Sequence, residues 1–147
     1  MTTADDPKRS ETNAGAMGLP FGTDHRYQLL VESIEDHAIY LLDAEGRVAS
    51  WNRGAERILG YRADEIIGAS YSRFFTVEDR AARRPQESLA HAADGGIFSE
   101  EATRVRKDGT RFWAQISMRA IRDDAGTVVG YSKITQDTTE RRMVEAQ

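Results

Sequence analysis

The stretch Arg104–Met118, RVRKDGTRFWAQISM, limits the fold more than any other. Asp108-Gly109 within it is a hairpin signal, because a tight primed turn needs residues that tolerate positive φ. Val105 lies before the turn; Phe112, Trp113, Ile116 and Met118 lie on the returning arm. That arm is long for a strand and carries two large aromatics side by side, so it reads as the central strand of an antiparallel sheet. Two turn-separated strands precede it, Ala38–Leu42 and Val48–Trp51, and one follows, Val128–Gln136.

The rest of the chain arranges itself around this sheet. His25–Glu35 reads as a helix capped by Asp24, with Tyr27, Leu30, Val31 and Ile34 in one apolar stripe. Such a stripe packs on its own sheet or, less often, on a second copy of itself. Asp43-Ala44-Glu45-Gly46 is a turn from which Arg47–Trp51 returns. Asn52 is placed to cap a helix bearing Ala55, Ile58 and Leu59, with Gly60 as its left-handed stop. Ala63–Ile67 forms a second helical turn ending at Gly68, and Thr76 with Asp79 reads as a capping box for a third. Pro85 fits the first position of a fourth helix, with Glu87 in its first turn and Asp94-Gly95-Gly96 at its end. Ile97–Arg106, Thr110–Ile121 and Val128–Gln136 are consecutive antiparallel strands, the last two joined by the turn Asp123–Gly126. Asp137 then caps a final helix with Glu140 three residues on. Strands and helices that come in runs, without βαβ alternation, argue an α+β fold with an antiparallel sheet. The gap between sheet and short helices is a natural pocket. Residues 1–23 read as a disordered leader, 24–137 as the domain with its amphipathic N-terminal helix, and 138–147 as an exit helix or linker.

Composition removes whole classes of function. The 147 residues suit one domain, and the formal net charge of −4 argues against nucleic-acid binding by bulk electrostatics. With no cysteine, there is no disulfide, thiolate metal site or cysteine nucleophile. No apolar run approaches the roughly 20 residues of a membrane span, and the N-terminus lacks a signal pattern. A cytoplasmic location, away from membranes, is the expectation. His25, His37 and His91 are scattered, with no Gly-rich phosphate loop and no GxSxG. No catalytic residue and no metal ligand is assigned.

The chain from about Tyr27 to Arg142 resembles a PAS domain. The resemblance rests on LLDAEGRVASWNRGAERILGYRADEIIG (Leu41–Gly68), RVRKDGTRFW (Arg104–Trp113), IRDDAGTVVGY (Ile121–Tyr131) and DTTERR (Asp137–Arg142). It implies a five-stranded antiparallel sheet with short helices on one face and flanking N- and C-terminal helices. It also implies a cytoplasmic sensor or dimerisation module, upstream of a histidine kinase, cyclase or similar output domain. A homodimer is expected from the apolar stripe of the first helix together with Met143 and Val144 on the last. Asp137 and Thr139 match the family's Asp-x-Thr exit motif, which implies a role in passing the signal on, with Asp137 paired to Arg104 or Arg106.

The same resemblance argues against cofactors. Light sensors of this fold need a reactive cysteine where the chain reads Ser72-Arg73-Phe74, and flavin-holding amides where it carries Arg104, Ala114 and Thr135. Haem-binding members place an axial histidine near Arg83, whereas the fourth helix offers only His91, turned roughly opposite Leu89 and Ala93. Strand alternation gathers Glu100, Ala102 and Arg104 on one face, Ala114, Ile116 and Met118 on the next, and Tyr131, Lys133 and Thr135 on the last. In the family these look like the faces turned to the pocket, so Tyr40, Glu100, Arg104, Ile116, Met118, Tyr131 and Lys133 form the expected ligand-facing set. The commoner reading is that Glu100 and Lys133 neutralise each other and fill a small cavity. The sharper one is that they grip a small polar or anionic ligand, and a one-residue register slip would turn both outward. The domain would then bind a small metabolite or nothing, the competing class being an interaction module with a self-filled cavity.

Overall fold

The computed structural model describes residues 25–146. Asp24 and the leader lie outside the described residues. Helix α1 (His25–Glu32) is followed by β1 (Ala38–Asp43), then the short helices α2 (Arg53–Leu59) and α3 (Ala63–Ile66). A 3-10 turn (Tyr71–Phe74), α4 (Val77–Ala81) and α5 (Arg84–Gly95) complete the helical run. Strands β2 (Ile97–Val105), β3 (Arg111–Arg122) and β4 (Val128–Asp137) lead into α6 (Thr139–Ala146). The sheet is antiparallel throughout, in the order β1-β4-β3-β2, so the first strand docks beside the last.

Among the described residues the sheet has four strands, and the expected strand Val48–Trp51 is not one of them. Its backbone pairs with β1 only at the turn end, where Asp43 N–H donates to Arg47 and Ala49 N–H to Leu41. Val48 N–H turns away to Ala69, and Gly68 N–H donates back to Val48. Further along, side chains take the place of a second ladder: Leu41 N–H donates to Ser50 Oγ and Ile39 N–H to Asn52 Oδ1. The amides of β1 are therefore satisfied by Ser50 and Asn52, and the segment is free to swing into α2.

The hairpin after β2 also differs from expectation. Of Asp108 and Gly109, only Gly109 has positive φ, at 90°. Gly109 N–H donates to Arg106 and Arg106 N–H to Thr110, which makes a three-residue loop with a left-handed glycine, a connection compatible with Asp at 108. Asp108 Oδ1 holds the loop by accepting from Thr110 N–H at 2.9 Å and Thr110 Oγ1 at 2.7 Å.

Caps follow the expected residues closely. Asn52 Oδ1 accepts from Ala55 N–H at 2.8 Å, and Gly60 ends α2 at φ 88°. Thr76 Oγ1 caps α4 through Asp79 N–H. Helix α5 starts one residue earlier than expected, at Arg84, with Pro85 in second position and Arg83 as a left-handed N-cap at φ 62°. Gly54 is required by close approach: a Cβ there would lie 1.9 Å from the carbonyl oxygen of His37. Helix α1 stops at Glu32, short of Glu35, and its stripe is not buried by the sheet: Leu30 is exposed, and Val31 and Ile34 are half-buried. The side chain of Tyr27 lies outside the described ones.

The core lies between the inner sheet face and the short helices. Tyr40, Trp51, Phe74 and Tyr61 form an aromatic cluster, with Tyr40 5.0 Å from Trp51 and Phe74 5.7 Å from it, centroid to centroid. Trp51 Nε1–H donates to Tyr61 O at 2.8 Å, so its one polar atom is satisfied.

Candidate functional site

The inner sheet face carries the residues that strand alternation gathers. Arg104, Phe112, Ala114, Ile116, Met118, Tyr131, Lys133 and Thr135 are buried, and Glu100 and Ala102 are half-buried. Pairing fixes their relative heights. One cross-strand row runs Tyr40–Lys133–Met118–Phe98 and the next Ala38–Thr135–Ile116–Glu100. Glu100 and Lys133 therefore sit on rows one inward step apart, on strands separated by β3.

The expected Glu100–Lys133 pair does not form. Glu100 Oε2 accepts instead from Arg104 Nη2 at 3.4 Å, along the same strand and over the small side chain of Ala102. An intrastrand partner needs no reach across Ile116, so it wins. The arginine is 2 % exposed and its guanidinium lies 3.9 Å above the Phe75 ring. Its Nε–H has no hydrogen-bond partner among the described residues. Lys133, 1 % exposed, makes no ion pair with any described carboxylate, and its ammonium rests 4.4 Å from the Tyr71 centroid and 5.5 Å from that of Phe75. Burial first, and then the neighbouring Arg104 charge, hold the Lys133 ammonium well below the ordinary lysine value, with Glu100 acting in the opposite sense. Burial likewise pushes the Tyr40 and Tyr71 hydroxyls up and the Arg104 guanidinium down.

Tyr71 and Phe75 are site residues that the sequence reading missed. They stand four apart across the 3-10 turn, a spacing that was the available signal, and they form the wall facing both cations. Tyr131 lies on the same face, at the far side of Lys133 from Thr135. Ser72, Arg83 and His91 stand apart from the cation pair: Arg83 and His91 are exposed, and His91 packs edge-on to Phe98 at 5.2 Å.

A second cluster joins the sheet to α6. Arg106 Nη2 binds Asp137 Oδ2 at 3.1 Å, so of the two arginines expected as partner it is Arg106 that pairs. Its Nη1 donates to Ile58 O at 2.8 Å, at the end of α2, and its guanidinium covers Phe112 at 4.4 Å. Asp137 Oδ1 accepts from Thr139 N–H at 2.9 Å, and Thr139 Oγ1 accepts from Trp113 N–H at 3.0 Å. Burial raises the Asp137 carboxyl, but the Thr139 and Arg106 hydrogen bonds outweigh it and leave the group below its ordinary value. On the outer face, Arg142 stacks on Trp113 at 3.9 Å and binds Glu101 at 3.0 Å, while Thr138 Oγ1 donates to the same Glu101.

Residues 36–140 match the family model described as the PAS domain. The chain belongs to the PAS family. Two-component system protein A of Emericella nidulans is 40% identical over 120 residues, 82% of this chain and 17% of that protein. Sporulation kinase C of Bacillus subtilis is 26% identical over 107 residues, 73% of this chain and 24% of its own. The crystal structure of the PAS domain of a Colwellia psychrerythraea protein superposes with a TM-score of 0.72 at 23% identity, covering 79% of this chain and 97% of that one. This PAS chain thus spans less than a quarter of either curated relative and is homologous to sensor domains of two-component histidine kinases. Among the described residues no helix is long and apolar enough to cross a membrane.

Proposed function

We propose that this PAS domain is the sensory input of a cytoplasmic two-component signalling protein, reading a small molecule at the inner sheet face and relaying it through α6. The observation that carries the reading is Arg106, whose one guanidinium holds the end of α2, the end of β4 and, through Asp137, the first turn of α6. A rearrangement in the helical layer therefore meets the exit helix through a single side chain. A homodimer fits the same reading: Leu29 and Leu30 on α1 and Met143 and Val144 on α6 are exposed apolar side chains. The rival is an interaction module with a self-filled interior, favoured by the stacking of Arg104 on Phe75. In a fusion to a histidine-kinase output, Asp137→Ala is expected to shift basal activity at least severalfold. Unchanged activity, with hydrogen exchange showing the first turn of α6 released, would refute the relay.

A further inference from the structure

Two buried cations share the inner sheet face, and one partly exposed carboxylate, Glu100, pairs with only one of them, Arg104. Arg104 meets a carboxylate through Nη2 alone, at a long 3.4 Å, and its Nη1 donates to Thr103 O at 3.2 Å, while its Nε–H is buried with no partner among the described residues. Lys133 faces the rings of Tyr71, Phe75 and Tyr40, with no described carboxylate in ion-pair contact. Native interiors leave few buried donors unmet, and those that remain ask for an occupant. Glu100, by contrast, is not fixed in place: its side chain is 40% exposed and it enters the interior only over Ala102. Glu100 stands directly across from Ile116, but Ala102 and Ala114 on the adjoining row, toward Arg104, are small, so its departure leaves room for another carboxylate at the Nε edge of Arg104.

We propose that Glu100 is a built-in placeholder for a small monocarboxylic acid, which displaces it from Arg104 and is held between Arg104 and Lys133. The inference rests on the sensory reading above and supplies its ligand class. A planar carboxylate matches the Nε and Nη2 edge of the guanidinium side-on. Charge selects an anion: once Glu100 turns out, Arg104 and Lys133 face the vacated space with no carboxylate between them, and the incoming carboxylate takes its place. The remaining wall selects a short apolar remainder, since Tyr40, Phe75, Ile116 and Met118 are buried and offer mostly carbon. Binding also frees Glu100 to turn to solvent and gives Arg104, two residues from Arg106, a new partner.

The test is isothermal titration of the full 147-residue chain with acetate, propionate, butyrate and benzoate, against sodium chloride at equal ionic strength and against inorganic phosphate. At least one carboxylate is expected to bind saturably at one per chain. Glu100→Gln, which removes the competing charge, is expected to tighten it at least about threefold, and Lys133→Met to weaken it at least about tenfold. Far-UV circular dichroism checks that both variants are folded. The proposal is overturned by an absence of saturable binding in both wild type and Glu100→Gln, by binding of phosphate with none of the carboxylates, or by equal affinity in wild type and Lys133→Met. Binding with these signatures but no response in the kinase fusion would leave the ligand assignment standing and remove the relay.

Discussion

At the scale of single residues, Lys133 occupies a place where a hydrocarbon would pack better. A buried cation without an ionic partner weakens the native state, and a hydrophobe of similar length relieves it. Lys133→Met is therefore expected to raise stability by about 1–3 kcal/mol at neutral pH in urea unfolding, the reverse of what a Glu100–Lys133 pair would give. The pH dependence has a definite sign. The folded-state value lies below the ordinary 10.5, so between the two the unfolded chain binds more protons and stability rises with pH. Unfolding curves from neutral pH to about pH 10 are expected to show that rise in wild type and to lose this contribution in Lys133→Met. Asn52 is the opposite case, a buried polar side chain with all its hydrogen-bonding capacity used. Its Oδ1 accepts from Ile39 and Ala55, and its Nδ2 contacts the carbonyls of Val31, Ile34 and His37. Asn52→Ala is expected to cost about 2–4 kcal/mol by the same measurement, because several buried backbone groups lose their partner at once. The cap on α2 was legible from an asparagine ahead of Ala55. The donors to the preceding loop were not, since nothing in the sequence brings residues 31–37 back to position 52.

At the scale of elements, α6 is fastened at its start on both sides of the sheet. Asp137 and Arg106 hold it near α2, and Glu101, Trp113 and Arg142 hold it on the outer face. Replacing Arg142 with alanine removes one ion pair and one ring contact, both on exposed side chains, so the effect on global stability is expected to stay within about 1 kcal/mol. The local effect is larger: hydrogen exchange in α6 is expected to quicken while the strands stay protected, and uniform protection would show the outer clasp to be idle. Strands β2, β3 and β4 were legible because alternation and turn residues agree over long runs. The return segment after β1 misled because Val48 and Trp51 are strand formers, while Ser50 and Asn52 between and after them take over the ladder with their side chains. Period two gathered the residues of each face, and the resemblance to PAS domains said which face turns inward. The partner of Glu100 was not, because period two assigns a face without saying along which direction a long side chain leans.

At the scale of the whole molecule, the exposed leucines of α1 and the exposed Met143 and Val144 of α6 bear on association. Sedimentation at rising concentration is expected to show a monomer–dimer equilibrium, weakened by Leu30→Asp; a monomer alone at high micromolar concentration would end the proposal of a dimer. The family was legible across nearly the whole folded chain because its turns and caps are spelled in glycine, aspartate and asparagine at fixed offsets. The α1 surface was harder to read, since an apolar stripe looks the same whether it meets its own sheet or is left open. The docking of β1 on β4 has a further consequence, for the order of assembly. Ala38 meets Thr135 across almost the full length of the domain, whereas β2, β3 and β4 meet through short turns. Closing the long loop is the slower step. On the ribosome the sheet cannot be completed until β4 has emerged, so β1 waits with its apolar face uncovered. The three-stranded meander is then expected to form first, and Asn52→Ala, at the edge that closes last, is expected to speed unfolding while leaving the folding rate nearly unchanged.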